Sequence, residues 1–268
     1  MARSAFIIPE YDLAIFWSPK AACSSIAAAL TISLYGPEQI QRLKERSIGP
    51  LQFLKEEGYQ TTGYDALRKS ARHGYKTAVI MRDPYDRLIS AFVNKFVANN
   101  HRTMLRFRDM GPFAIGFLRD HSQVLGMGDK LDLRRKWTGV SFRQFTNTVC
   151  SVIDDTPDRG RRLNRHWNTQ VPQEFKDQKF EFDETYDLKD IHTFFDQLKS
   201  YSQHDLNFLP RNPSPYSKTQ SPCDLCDMSS VEILKQSGFS KECFDSKVLR
   251  DHVSKSFKTD YFYLGKAA

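Results

Sequence analysis

The chain has 268 residues, of which 40% are hydrophobic and 26% charged, a composition typical of globular proteins. This length allows one large α/β domain or two small ones. Lysine and arginine outnumber acidic residues by 39 to 32, so the net charge is +7. That charge favours an anionic ligand, although a mildly basic solvated surface also explains it. No run is long and uncharged enough to cross a bilayer, and we expect no signal peptide.

The cysteines are scattered at irregular spacing, at Cys23, Cys150, Cys223, Cys226 and Cys243. An odd number in this arrangement is not typical of a disulfide framework, so we expect reduced thiols and a cytoplasmic location. Cys223 and Cys226 have the spacing of two zinc ligands. Because no second pair accompanies them, we expect ordinary thiols in a loop and no metal site; the alternative is a structural metal with Cys243 nearby and His252 as the fourth ligand.

The first half of the chain alternates strands and helices. A strand is predicted over residues 11–17 (YDLAIFW), and a helix over 24–34 follows after a short turn. Residues 37–72 are polar, with apolar residues at helical spacing. Residues 76–81 (KTAVIM) form a short apolar run that predicts a buried strand. Pro84 then opens an amphipathic helix.

The second half is predicted to contain one strand, three helices and several loops. The strand covers 179–186, and the helices cover 141–153, 187–198 and 246–257, with serine or aspartate at their starts. We expect residues 99–135 to form short helices and loops over the core. Residues 210–222 are rich in proline and serine, which is typical of a surface loop.

The order strand, small-residue turn, helix occurs twice, and it predicts an α/β fold of three layers. Strands that alternate with helices favour a parallel sheet with helices on both faces. We expect a single domain over residues 1–268. In such sheets ligands bind beyond the carboxyl ends of the strands, which is where both turns would lie.

The first turn, SPKAACSS at residues 18–25, is a candidate anion site. A helix N-terminus presents backbone N–H groups and the positive end of a dipole. An anion there would meet small residues, one ammonium group and two hydroxyls: Ala21, Ala22, Cys23, Lys20, Ser24 and Ser25. A Walker A loop would need glycines, and a lysine directly before Ser/Thr, so this turn is of another kind. The alternative is an ordinary tight connection with a surface lysine.

The second turn, in AVIMRDPYDRLISAF, adds a second candidate cation. Arg82 ends the predicted strand, where a charge has little reason to pack, and Ser90 follows on the next helix. Arginine can bind phosphate through two hydrogen bonds, and a serine hydroxyl can donate to the same group. The alternative is that Arg82 pairs with Asp83 at the start of the helix.

The two turns together resemble the sulfotransferases, in particular the membrane-associated carbohydrate sulfotransferases and their bacterial relatives. PKAACSS resembles the 5′-phosphosulfate motif of that family, and RDPYDRLISAF resembles its 3′-phosphate motif. RHWNTQ (165–170) is similar to the family's HWxPQ element, with Thr169 in place of proline. KTDYFYLG resembles its usual C-terminal DYxxFGY.

The resemblance implies a P-loop-like sulfotransferase fold and 3′-phosphoadenosine 5′-phosphosulfate (PAPS) as the sulfuryl donor. Lys20, Ser24 and Ser25 would bind the 5′-phosphosulfate, and Lys20 would stabilise charge on the bridging oxygen. Arg82 and Ser90 would bind the 3′-phosphate, and adenosine 3′,5′-bisphosphate would be the product. The acceptor would be a hydroxyl, most simply of a carbohydrate, with no metal required and no nucleic-acid partner.

The acceptor hydroxyl needs a general base, and His166 is the candidate because it lies in the RHW element. Trp167 beside it would offer a flat surface to a sugar or to adenine. The alternative is that His166 and Trp167 both pack in the core. His73 and acidic residues are further candidates for the base.

Two other functions fit parts of the sequence. A nucleotide kinase-like enzyme would share the broad fold, but the lysine position differs from Walker A and no strand ends in a clear Walker B aspartate. A non-catalytic domain that binds anions or nucleic acid fits the charge of +7 but leaves Arg82 and Ser90 unexplained.

Overall fold

The computed structural model describes residues 4–99, 102–126, 137–155, 163–204, 223–236 and 238–265. The chain divides into two compact units. The first comprises Met1–Asp83, Gln170–Pro213 and Phe262–Lys266, and the second comprises Pro84–Thr169, Ser214–Tyr261 and Ala267–Ala268. The single domain expected over 1–268 stays a prediction.

The strands of the described residues are β1 (Ser4–Ile8), β2 (Leu13–Trp17), β3 (Gln60–Thr62), β4 (Lys76–Met81), β5 (Ala98–Asn99), β6 (Arg102–Thr103) and β7 (Glu184–Asp187). The α-helices are α1 (Cys23–Tyr35), α2 (Glu38–Glu45), α3 (Pro50–Glu56), α4 (Gly63–His73), α5 (Pro84–Phe92), α6 (Pro112–His121), α7 (Phe142–Asp155), α8 (Gln173–Asp177), α9 (Ile191–Tyr201), α10 (Ser230–Ile233), α11 (Lys247–Ser256) and α12 (Lys258–Tyr263).

The first unit contains a five-stranded sheet in the order β3-β1-β2-β4-β7. Strands β2, β4 and β7 are parallel, as predicted. The prediction of a wholly parallel sheet is wrong at β1, which is antiparallel to both β2 and β3. A single 3₁₀ turn, Pro9–Tyr11, joins β1 to β2. So short a connection can only reverse the chain, whereas parallel neighbours need a long crossover.

Helices cover both faces of this sheet, so the first unit has the three layers that were predicted. All five residues of β2 are buried, as expected for a strand with helices on both sides. On one face Ile15 packs with Ile26 of α1 and Phe194 of α9. On the other, Phe16 packs with Phe175 of α8. The turn after β2 therefore leads directly from a buried strand into a helix that lies on the sheet.

The second unit is helical around an aromatic core. Helix α5 continues into a π-helical segment, Val93–Val97, and the small hairpin β5–β6 follows. The core contains Phe92, Phe96, Phe145 and Trp167, whose rings contact one another. Aromatic side chains bury large apolar areas, so these rings contribute strongly to the stability of the unit.

Most predicted elements of the second half agree with the structure. The helix predicted over 141–153 is α7, and Ser141 caps it by accepting from the backbone N–H of Gln144 at 3.1 Å. The helix over 246–257 is α11, capped by Ser246. The strand predicted over 179–186 is wrong in its first half, since β7 covers only Glu184–Asp187. Residues 210–222 and part of 99–135 lie outside the described residues.

The expectation of five reduced thiols is wrong, because Cys223 and Cys243 form a disulfide. The backbone N–H of Leu225 donates to the carbonyl of Cys243 at 2.7 Å, which brings the two segments side by side. The Cα atoms of the two cysteines are 4.9 Å apart, a distance that suits a disulfide. Within the described residues no group of side chains could hold a metal ion. None of the helices described is long and apolar enough to span a bilayer.

Candidate functional site

The two predicted turns lie at the same edge of the sheet. Strands β2 and β4 are parallel, and Trp17 is paired with Ile80 near their carboxyl ends. The chain therefore leaves both strands at one edge, with residues 18–22 after β2 and residues 82–83 after β4. This is the edge at which open α/β sheets bind ligands.

The first turn has a conformation suited to an anion. Lys20 and Ala22 have φ angles of 72° and 55°, so both are in the left-handed region. Backbone N–H groups near such residues can form an anion-binding concavity, although the N–H of Ala21 donates to the carbonyl of Ser18 at 3.2 Å. Helix α1 begins at Cys23 immediately afterwards, so its positive dipole end lies at the same place. Ser24 is half-buried and Ser25 is buried in the first turn of this helix.

The structure brings Lys20 and Arg82 together. The Nη1 atom of Arg82 donates to the backbone carbonyl of Lys20 at 3.3 Å. Both side chains are half-buried rather than fully exposed. A guanidinium group and an ammonium group therefore belong to adjoining turns, which favours a ligand with more than one negative charge.

Gln170 fixes this arrangement, and sequence reasoning missed it. Its Oε1 accepts from the backbone N–H of Arg82 at 2.9 Å and from the hydroxyl of Ser18 at 3.2 Å. Its Nε2 donates to the backbone carbonyl of Arg82 at 2.7 Å. Only 5% of Gln170 is exposed, so these bonds are largely shielded from water. The available signal was the position of Gln170 as the last residue of RHWNTQ.

Ser90 lies in the second unit, on the second turn of α5, and is half-buried. The start of α5 is held by the segment that contains Cys243. The hydroxyl of Tyr85 donates to the carbonyl of Phe244 at 2.6 Å, and Lys241 forms an ion pair with Asp86 at 3.1 Å. The disulfide therefore supports, through this segment, the helix that carries Ser90.

His166 and Trp167 have different surroundings in the second unit. Trp167 is 1% exposed and packs in the aromatic core. The expectation that it offers a flat surface to a ligand is therefore wrong, and the alternative of core packing is correct for this residue. His166 is half-buried, with its ring 4.7 Å from the ring of Phe113. Its Nδ1 lies 2.5 Å from Oδ1 of Asn164. Because a carbonyl oxygen can only accept, Nδ1 carries the proton of the neutral ring and Nε2 carries the lone pair.

Lys95, on the π-helical segment, also lies against Phe113. Its Nζ is 5.3 Å from the centre of that ring. Burial lowers the pKa of Lys95 from its ordinary value, since water is withdrawn from the ammonium group. Phe113 thus contacts both a partly desolvated ammonium group and the His166 imidazole.

The profile of the sulfotransferase family matches residues 3–261, which is nearly the whole chain. The chain belongs to the sulfotransferase family. No curated protein and no solved structure matches it significantly. The resemblance drawn from the two motifs is thereby confirmed at the level of the family.

The free thiols of this sulfotransferase differ in their surroundings. Cys23 is half-buried at the first position of α1, inside the first turn. Cys150 and Cys226 are fully buried, and burial raises the pKa of each to about 12. A thiol must be accessible to react, and of these three only Cys23 is not buried.

We predict that Gln170→Ala lowers the free energy of unfolding by about 1–3 kcal/mol, because it leaves buried backbone groups of Arg82 without their partners. Urea unfolding would measure this loss. Hydrogen exchange at the Arg82 amide should become faster in the same variant. Gln52→Ala is the control, since Gln52 donates to Glu56 on the exposed side of α3. Equal effects of the two substitutions would contradict the role given to Gln170.

We also predict that iodoacetamide at neutral pH modifies Cys23 while Cys150 and Cys226 remain unmodified in the folded protein. Mass spectrometry of the digested protein would locate the label. Adenosine 3′,5′-bisphosphate should slow the reaction at Cys23, because an anion bound in the first turn covers that thiol. Labelling of Cys23 at the same rate with and without the nucleotide would show that the turn is not the binding site.

Proposed function

We propose that this sulfotransferase transfers a sulfuryl group from PAPS to a hydroxyl group, most simply that of a carbohydrate. The observation that carries the proposal is that the turns of Lys20 and Arg82 lie together at one sheet edge. The guanidinium group of Arg82 donates to the Lys20 carbonyl, and the Gln170 amide bonds to the Arg82 backbone. Two cations on adjoining turns match a donor that bears negative charge at both its 5′ and its 3′ positions.

The residues of the two turns fit such a donor by their chemistry. The backbone of Ala21, Ala22 and Cys23, with the Ser24 and Ser25 hydroxyls, would hold the 5′-phosphosulfate. Arg82 and Ser90 would hold the 3′-phosphate. When bound, the donor supplies an activated sulfuryl group attached to a phosphate leaving group. Lys20 would stabilise the charge that develops on the leaving oxygen, as a fixed cation does in a site that excludes water.

His166 would act as the general base. With its proton on Nδ1 held by Asn164, the imidazole can accept the acceptor's proton on Nε2. Fixed cations supply the electrostatics in this scheme, so no metal is required. The proposal also includes a P-loop-like fold and a single catalytic domain over residues 1–268. A cytoplasmic location remains an expectation, and the Cys223–Cys243 disulfide is more typical of an oxidising compartment.

The decisive test is calorimetry with adenosine 3′,5′-bisphosphate, adenosine 5′-monophosphate and ATP. We expect tight binding only of the nucleotide that carries a 3′-phosphate. Preference for ATP would favour a kinase-like enzyme, and no binding of any of the three would favour a non-catalytic domain.

Arg82→Ala should lower the affinity for adenosine 3′,5′-bisphosphate by about 1.5–3 kcal/mol, because a charge-assisted contact is lost. Affinity for adenosine 5′-monophosphate should change much less. Arg68→Ala, on the exposed side of α4, is the control for loss of one positive charge. If Arg82→Ala keeps the full preference for the 3′-phosphorylated nucleotide, Arg82 does not bind that phosphate.

Lys20→Ala should slow the chemical step about 10²–10³-fold while affinity for adenosine 3′,5′-bisphosphate changes far less. Single-turnover kinetics with labelled PAPS, and an acceptor found by screening hydroxyl compounds, would measure the rate. Lys44→Ala, on the exposed side of α2, controls for the charge. An unchanged single-turnover rate in Lys20→Ala would remove the catalytic role from this residue.

His166→Ala should slow transfer about 10²–10⁴-fold and leave nucleotide binding and melting temperature nearly unchanged. The acid limb of the pH–rate profile should also disappear, since that limb reports protonation of the imidazole. A purely structural His166 predicts the opposite, a lower melting temperature with the rate of the folded enzyme preserved. Measuring rate and melting temperature on one preparation distinguishes the two roles.

A further inference from the structure

Arg87 on α5 is the largest buried cation among the described residues. Its side chain is 0% exposed. A buried guanidinium group is costly unless hydrogen-bond acceptors replace the water that it loses. In this unit backbone carbonyl groups of residues 165–168 serve as such acceptors.

The contacts of Arg87 converge on the segment that carries His166. Its Nη1 lies 3.4 Å from the carbonyl oxygens of both Arg165 and His166, and its Nη2 donates to the carbonyl oxygen of Asn168. These three carbonyl groups belong to a turn with no strand partner. One planar group therefore contacts three carbonyl groups of an irregular segment, which a lysine with a single nitrogen does not do.

The same segment is held from its other side by Trp167, which packs against Phe96, Phe117 and Phe145. Trp167 fixes how deep the segment lies, but an apolar contact does not set the direction of a peptide group. The carbonyl contacts of Arg87 do set that direction. The peptides on each side of His166 set the direction of its Cα–Cβ bond, so the Arg87 contacts restrain the point from which the imidazole extends.

We propose that Arg87 is a positioning residue that orients His166 for its role as the base, an inference that rests on the proposed function. Arg87 acts through the backbone of residues 165–168 and need not touch the acceptor. Because α5 also carries Ser90, one helix would then serve both the 3′-phosphate site and the base.

The test is nuclear magnetic resonance of the imidazole nitrogens in protein labelled with ¹⁵N-histidine, with and without Arg87→Lys. In the wild type the His166 signals, assigned with His166→Gln, should show the Nδ1-protonated neutral ring. In Arg87→Lys they should move toward the averaged values of a ring that exchanges tautomers, while the signals of His73 and His192 in the first unit stay unchanged. A misplacement of about 1 Å in an active site typically slows catalysis about 10²-fold, so sulfuryl transfer by Arg87→Lys should slow by that order.

Arg250→Met is the matched control. Arg250, on α11, lies over the ring of Tyr85, 4.3 Å from its centre, and pairs with Asp245. Tyr85 is on α5, the helix that also carries Arg87. Arg250→Met therefore perturbs α5 without removing the contacts to residues 165–168. Unchanged His166 signals in folded Arg87→Lys, or equal changes in both variants, would overturn the proposal.

If Arg87→Lys does not fold, the wild type still decides the matter. Guanidinium protons of one arginine should exchange slowly with water and show contacts to residues 165–168 in ¹⁵N-arginine-labelled protein. If no arginine shows slowly exchanging guanidinium protons with contacts to residues 165–168, the proposal is overturned. None of these signals depends on nucleotide, so a failure to bind adenosine 3′,5′-bisphosphate would contradict the proposed function separately.

Discussion

One buried side-chain amide determines the geometry of the candidate site. Sheet hydrogen bonds fix β2 and β4 only up to their last paired residues, and both candidate cations lie beyond that point. Gln170 holds the residue that directly follows each strand. It accepts from the Ser18 hydroxyl after β2, and it bonds to the backbone N–H and carbonyl groups of Arg82 after β4. An amide is suited to this because it donates and accepts at once. A carboxylate would lack the donor for the Arg82 carbonyl, and an apolar side chain would satisfy neither group.

The backbone conformation of the first turn is unfavourable on its own. A residue other than glycine in the left-handed region costs roughly 1–2 kcal/mol, and both Lys20 and Ala22 adopt it. Such strain persists where the surroundings determine the conformation, and it is frequent at functional sites. Here β2 is buried on one side of the turn and α1 on the other. The hydrogen bond from Arg82 to the Lys20 carbonyl adds a third restraint.

The sequence predicted the elements whose signals are local. Strand β4 and the start of α5 are correct to the residue, because an apolar run bounded by glycine and proline needs no knowledge of the partner. The antiparallel pairing of β1 was missed because pairing is a property of two strands, and so was the disulfide between Cys223 and Cys243. Gln170 and Arg87 were missed for the same reason. Their partners are 78 to 152 positions away in the chain. The hydrogen bonds of a buried polar side chain cannot be predicted until the fold brings such distant partners together.

Two boundaries between the units fall inside the motifs that carry the candidate residues. The chain passes from one unit to the other between Asp83 and Pro84 and again between Thr169 and Gln170. Each boundary lies inside a motif. The motif RDPYDRLISAF places Arg82 in the first unit and Arg87 and Ser90 in the second. The motif RHWNTQ places His166 in the second unit and Gln170 in the first. Within the first unit Gln170 bonds to the backbone of Arg82, and within the second Arg87 contacts the carbonyl group of His166. Each motif therefore supplies one partner of a hydrogen bond whose other partner comes from the other motif, once in each unit.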